Sequence, residues 1–297
     1  MRYLYYPGCS QKATSRACDE ALAAVAPKLG LELEELDDWN CCGATAVPAV
    51  SKVLALSLSA RNLALAESKG KGQPVDLMTP CPNCWMSLAK AHEVLSGDGA
   101  EAKKVRSALA EGGYRYEGRV KVRHLLDVLV NDVGMERLKG AATKALAGLK
   151  VAPYYGCQVL RPKPAGGDDP YAPQNLEKLI EALGATVAAF PMKTACCGGA
   201  LVATRDEVGR KMSWAILQSI DEAGADLIVT PCSMCQVTME VVQVRGAGRP
   251  AGVRDRATIN LAQLVALGLG VSEERAGIQR SLIPVHTVRH DDLRSHA

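Results

Sequence analysis

Ten cysteines in two matching sets are the residues of this chain best suited to chemistry. Cys9 is followed after 31 residues by the adjacent pair Cys41-Cys42, and after 38 more by Cys81-Pro82-Asn83-Cys84. Cys157 is followed after 38 residues by Cys196-Cys197, and after 34 more by Cys232-Ser233-Met234-Cys235. Thiolates are soft ligands that select iron–sulfur clusters, zinc or Cu(I). A C-x-x-C turn leading into a helix aims two sulfurs at one centre, and the helix N-terminus favours their ionised form. An adjacent Cys-Cys pair suits a centre with several separated irons, because its sulfurs diverge from neighbouring Cα atoms. Five sulfurs also exceed the four of tetrahedral zinc or an ordinary cubane. Three other uses of these residues stay open: disulfides, structural zinc on four of the five, and a cubane with a spare cysteine.

The sets belong to a duplicated unit. Tyr5-Tyr6-Pro7-Gly8-Cys9 returns as Tyr154-Tyr155-Gly156-Cys157, Cys41-Cys42-Gly43 as Cys196-Cys197-Gly198, and Thr79-Pro80-Cys81 as Thr230-Pro231-Cys232. Each copy has the same order of elements. Strands are expected over 3–6, 31–36 and 75–79, and again over 151–155, 186–191 and 226–230. Helices are expected over 18–29 and 49–68, and over 175–183 and 207–223, with another after each C-x-x-C. The apolar segments 120–130 and 257–269 close the halves. Strands alternating with helices predict an α/β protein of two duplicated Rossmann-like domains with small parallel sheets, related by a pseudo-two-fold axis. The boundary is expected near Gly148–Ala152, giving an N-terminal cysteine-rich domain over 1–150 and a C-terminal one, with a polar tail, over 151–297. Every cysteine of the two sets then falls at or beyond the C-terminal end of a strand, where open parallel sheets bind ligands.

The bulk properties narrow the classes further. The 297 residues are 48% hydrophobic and 23% charged, with a formal net charge of +3. That charge is too small and scattered to argue for nucleic acid or a membrane surface. The longest apolar stretch, Leu261–Val271, is about half of a bilayer span. The first residues lack a basic segment followed by an apolar run, so a cytoplasmic setting is expected. Metal or redox chemistry is then favoured over disulfides. There is no ferredoxin cysteine run and no glycine-rich nucleotide loop, so the electrons must come from another chain.

Both halves resemble the CCG or cysteine-rich domain, and YYPGCS with Asp38-Trp39-Asn40-Cys41-Cys42-Gly43-Ala44 is similar to the B subunit of heterodisulfide reductase. The resemblance runs to about Leu269, with gaps of 38 and 34 residues before C-x-x-C just outside the nominal spacing. It implies two noncubane [4Fe-4S] clusters, one on Cys9, Cys41, Cys42, Cys81 and Cys84, the other on Cys157, Cys196, Cys197, Cys232 and Cys235. It further implies a cavity shared by the clusters, where a disulfide is split with one sulfur going to each. Electrons would arrive through a ferredoxin protein like the family's C subunit, carrying cubane [4Fe-4S] clusters and fed by a flavin-containing A subunit. The expected activity is that of an oxidoreductase acting on sulfur groups. Within the family, the Ala- and Arg-rich composition favours a bacterial sulfur-oxidation complex acting on sulfur bound to a lipoate carrier. The alternatives are the methanogen coenzyme B–coenzyme M heterodisulfide, a quinone-linked role of the succinate or lactate type, and zinc, either in one half or throughout a purely structural protein.

Outside the cysteines, His124 and Asn260 take matching places in VRHLLD and TINLAQ. His124 is a candidate proton donor, against the plainer reading of a buried, satisfied polar residue. Arg161 and Lys163, in a Pro- and Gly-rich loop after Cys157, are candidates to meet an anionic substrate group. Cys18 reads as a small core residue. His92, His286, His290 and His296 read as peripheral. The tail 272–297 reads as a partner-docking arm or a segment without order.

Overall fold

A computed structural model describes residues 1–161, 163 and 165–285. The first half builds β1 (Arg2–Tyr5), β2 (Glu32–Glu35), β3 (Val75–Thr79) and β4 (Val120–His124), and the second builds β5 (Lys150–Pro153), β6 (Thr186–Val187), β7 (Leu227–Thr230) and β8 (Thr258–Asn260). Every pairing is parallel. The sheet orders are β2-β1-β3-β4 and β6-β5-β7-β8, so the second half repeats the topology of the first. The expected fold class is therefore observed.

Two expected elements differ in detail. The helix expected over 49–68 is broken at Ser51, whose extended backbone lets Oγ accept from the Leu54 amide and start a new helix at Lys52. Serine competes for backbone hydrogen bonds in this way and so favours helix starts. The strand expected over 186–191 stops at Val187. Its neighbour β5 ends at Pro153; beyond it Tyr154 still donates to Val229 of β7, but Tyr155 and Gly156 donate to the Lys193 carbonyl in the loop after β6.

The halves are fused through one core. Helix Arg16–Leu29 of the first half packs on helix Leu261–Gly268 of the second, and helix Asn175–Ala182 of the second packs on Met135–Ala141 of the first. Leu22, Val25 and Leu29 thereby join Leu264 and Val265, while Leu176, Leu179 and Ile180 join Val128, Leu129 and Leu138, in one continuous cluster. Two satellite cores lie on the other faces, one per sheet. Cys18 is fully buried in the shared core and donates to the Asn260 carboxamide oxygen, 2.9 Å away.

Part of the tail departs from its sequence reading. Residues 272–285 are seated, with Ala276, Ile278 and Ile283 buried. The Ala276 carbonyl accepts from Gln263, Arg280 pairs with both carboxylate oxygens of Glu20, and the Leu282 and Ile283 amides bond Glu240. Hydrophobic residues spaced without helical or strand periodicity concealed this, because the segment follows the surface it covers. Residues 286–297, with His286, His290 and His296, lie outside the described residues.

A chain ended at Gly270 is expected to lose roughly 3–6 kcal/mol of stability, from the buried isoleucines. Urea denaturation measures it; an unchanged midpoint would return the segment to the status of a free arm.

Candidate metal centre

The first sulfur of each set sits where a strand has just ended. After β1 the chain passes Tyr6, Pro7 and Gly8 to Cys9. Gly8 has φ +75°, and a Cβ there would stand 2.7 Å from Cys84 Sγ; Gly156, at φ +68°, would bring one 3.1 Å from Cys235 Sγ. Only glycine takes this backbone at no steric cost and lets the main chain pass so close to sulfur.

The C-x-x-C cysteines sit at helix starts. Cys81 precedes helix Pro82–Leu95 and Cys232 precedes helix Ser233–Arg245. Their amides are held by Thr79 Oγ1 and Thr230 Oγ1, at 3.4 and 3.2 Å. Proline in the first helical turn loses no hydrogen bond, since its missing N–H would be unpaired there anyway.

The adjacent pairs are held by the same devices in both halves. Tyr6 donates to the Asn40 carbonyl and Tyr154 to the Ala195 carbonyl, at 2.7 and 2.8 Å, each just before its cysteine pair. Ser59 and Ser213 donate to the carbonyls of Cys42 and Cys197. The Gly43, Gly198 and Gly199 amides point at Cys41, Cys196 and Cys197 sulfurs, at 3.5, 3.4 and 3.3 Å.

These devices bring each quintet together. In the first half Cys9 and Cys41 sulfurs are 3.5 Å apart, as are Cys42 and Cys84. Cys41 also bonds Cys42, and Cys81 bonds Cys84. In the second half Cys235 lies 3.5 Å from Cys197, Cys196 bonds both Cys197 and Cys157, and Cys232 bonds Cys235. All eleven cysteines are free thiols. Cys42, Cys81 and Cys84 are buried, as are Cys197, Cys232 and Cys235, while Cys9, Cys41 and Cys196 are exposed and Cys157 is half-buried. Each set therefore has a closed floor and an open mouth. One bond ties the two sites together: Gln11, two residues after Cys9, donates to Ser233, next to Cys232, at 2.7 Å.

Hydrogen bonds between neighbouring sulfurs favour the ionised form of Cys42 and Cys81 in the first set and of Cys197 in the second. Hydrogen bonds from Cys41 and then Cys84 bring the Cys42 thiol down to about 3, and those from Cys196 and Cys235 do the same for Cys197. Their donors Cys41, Cys84, Cys196 and Cys235 are pushed up correspondingly. Packing five thiols together limits how many can ionise at once, since neighbouring like charges disfavour one another. A cationic centre would remove that restraint and draw the remaining protons off. Among the described residues, no three His, Cys, Asp or Glu side chains are arranged to hold one metal ion. The sulfurs run in a chain of contacts instead. The all-thiol donor set and the cradles at Gly8 and Gly156 fit a soft centre larger than one ion.

The other candidates lie elsewhere. His124 is fully buried at the end of β4, where Nδ1 accepts from the Leu126 amide and Nε2 completes no hydrogen bond. Burial holds its pKa down at about 4. It carries no proton charge at neutral pH, and its place as a helix cap is the one Asn260 fills by accepting from Ala262. Arg161 is exposed, and Lys163 extends toward Glu93, 4.0 Å away, rather than forming part of either quintet. Pro162 and Pro164 lie outside the described residues. The rest of that loop is organised by Asp168, whose carboxylate accepts the Gln174 and Asn175 amides at a helix start. Sequence reasoning missed Ser59, Ser213 and Gln11 as supports of the sites. The serines follow their Cys-Cys pairs at nearly equal distances, a usable signal, whereas nothing local marks Gln11.

Two doubly wound α/β units, each with five thiols at the C-terminal edge of its sheet, define a duplicated thiol-ligand protein. The chain belongs to the cysteine-rich CCG domain family, whose pattern it matches over residues 3–89 and 151–240. It is 36% identical to a heterodisulfide reductase B-subunit-like protein of Archaeoglobus profundus, over 94% of each chain. It is 34% identical to the 8-methylmenaquinol:fumarate reductase membrane anchor subunit of Wolinella succinogenes, over 95% of this chain and 96% of that one. A hypothetical protein of Helicobacter pylori shares the fold, with a TM-score of 0.76 at 14% identity; the match covers 96% of this chain and 52% of the other. Among the described residues no helix is long and apolar enough to cross a membrane.

The low His124 pKa sets a pH dependence. The unfolded imidazole binds a proton below about 6.5, whereas the folded one resists until about 4. Stability is then full above pH 6.5 and lost as pH falls toward 4, by roughly 2–3 kcal/mol. Urea unfolding at pH 7 and pH 4.5 should show this loss shrinking in the His124→Asn variant; an equal loss in both proteins would refute the assignment.

Proposed function

We propose that this chain is the iron–sulfur subunit of a multi-subunit oxidoreductase complex, with one noncubane [4Fe-4S] cluster in each half. The observation that carries the reading is the pair of five-thiol sets, each closed below and open above, joined by the Gln11–Ser233 hydrogen bond. Cys9, Cys41, Cys42, Cys81 and Cys84 would hold one cluster, and Cys157, Cys196, Cys197, Cys232 and Cys235 the other, within domains 1–150 and 151–297. When bound, such clusters supply one-electron redox centres. The protein does the rest: it fixes the cysteine loops through Tyr6, Tyr154, Ser59 and Ser213. It also directs amides at the sulfurs and keeps three ligands of each set away from water.

Sulfur redox chemistry is the substrate reading we favour, supported by the likeness to heterodisulfide reductase B proteins. A disulfide needs two electrons, and two neighbouring one-electron centres match that count. Partners carrying cubane clusters and flavin would connect the chain to its electron donor, and a cytoplasmic setting completes the reading. Sulfur on a lipoate carrier is the substrate proposed within it. Arg161 and Lys163, exposed on the loop after Cys157, are proposed to meet an anionic group of the substrate, and His124 to cap its helix. A second reading, an electron path linked to a quinol, is favoured by the Wolinella relative.

Anaerobically purified protein should carry about eight irons per chain. Gly8→Ala, which drives a methyl toward Cys84, should reduce that to about four and leave the second-half cluster signal intact in electron paramagnetic resonance. Zinc in place of iron would end the proposal. With the assembled complex, disulfide-dependent reoxidation of the reduced chain supports the sulfur reading, and reduction by a menaquinol analogue alone supports the second.

A further inference from the structure

The duplication is broken at one surface, and the break has a recognisable shape. In the second half, helix Ser233–Arg245 is crossed by the chain's own residues 281–285. The Leu282 and Ile283 amides bond Glu240, and Ile283 is buried. The same helix serves the outer edge of its sheet: Gln236 donates to the Thr258 carbonyl, and Gln243 both donates to the Arg256 carbonyl and accepts its amide.

Counting from the two C-x-x-C motifs, Trp85, Ala89 and His92 stand where Gln236, Glu240 and Gln243 stand. Among the described residues no segment crosses them: the chain after Met135–Ala141 turns away into β5, and the loop carrying Lys163 only borders the surface. Their surface is an open groove of about 610 Å³, floored by Trp85, Met86, Ala89 and the edge strand β4. Because alternate residues of an edge strand turn their main-chain groups outward, and Arg119 bonds inward to Val75, Val122 presents its groups to the groove side. Tyr116, bonded to His92, takes the Val120 amide. Among the described residues, no side chain serves the Val122 carbonyl as Gln236 serves Thr258. Lys90, Lys121 and Lys163 rim the groove against the single carboxylate of Glu93, a net positive lining.

We propose that this groove is the docking site for an extended segment of a partner protein in the complex, with branched aliphatic residues facing the floor and carboxylates facing the lysines. Three observations fix that chemistry. The chain itself lays Leu282-Ile283 across the equivalent helix, so aliphatic cover fits this surface. The open main chain of β4 favours an added strand over a helix. The lysine rim selects acidic flanks and would speed association. The proposal holds whether the complex acts on sulfur or on a quinol.

The test uses the intact complex, with a photo-crosslinking residue in place of Ala89. Peptide mapping should find the crosslink on an aliphatic segment of another protein of the complex that carries Asp or Glu. Lys121→Glu with Lys163→Glu should weaken that association about tenfold at low salt and flatten its salt dependence, whereas Glu93→Lys should strengthen it. The iron content should stay unchanged in all of these, which separates this proposal from the cluster assignment. A crosslink to a second copy of the chain, to a lipid or quinone, or to no polypeptide would overturn it. So would charge reversal that leaves the affinity and its salt dependence as they were.

Discussion

The structure depends on bringing five sulfurs within contact distance at the C-terminal edge of each parallel sheet. Thiolates crowded in this way repel one another, and burying them costs more still. Hydrogen bonds from neighbouring thiols ease the ionisation of Cys42, Cys81 and Cys197, while burial and like charge oppose that of the others. The folded chain is thus a preformed but electrostatically restrained cradle. A multi-iron centre would relieve the restraint by neutralising the charge that the geometry concentrates.

That cradle has to be rigid, and most of its supports are main-chain interactions. Amides of Gly43, Gly198 and Gly199 face sulfur, while Tyr6 and Tyr154 pin the carbonyls leading into the Cys-Cys pairs. The tyrosines are fully buried beneath the sulfurs. The rigidity extends across the molecule, because each half lends its first helix to the other half's last helical segment. The two quintets are held in fixed relation by a shared core rather than by a flexible linker. That fixed relation would suit the paired one-electron centres proposed for the two sets.

The duplication is not perfect, and several of its differences lie away from the sulfurs. His124 and Asn260 cap equivalent helices with different side chains. Ala89 and Glu240 face an open groove and the chain's own C-terminal segment respectively. Two similar cysteine sets thus sit in unlike surroundings.

Much of the site was legible in the sequence because its signals are local. Ligand type, C-x-x-C spacing, the adjacent pairs and the repeated order of strands and helices follow from residue chemistry and short-range periodicity. They predicted two parallel sheets with sulfurs at strand ends, and the likeness to cysteine-rich redox domains. Ser51 and the short β6 escaped that reading because a cap and an early departure from a sheet depend on single hydrogen bonds. The surroundings of His124, Lys163, Gln11 and residues 272–285 became visible only in the tertiary structure. Each depends on partners distant in sequence: Gln11 meets Ser233, Arg280 meets Glu20, and Lys163 reaches Glu93. The sequence determined which atoms could bind a soft metal centre; packing between the halves decided which residues surround that centre and which surface is left open, because burial and long-range contacts have no local pattern to read.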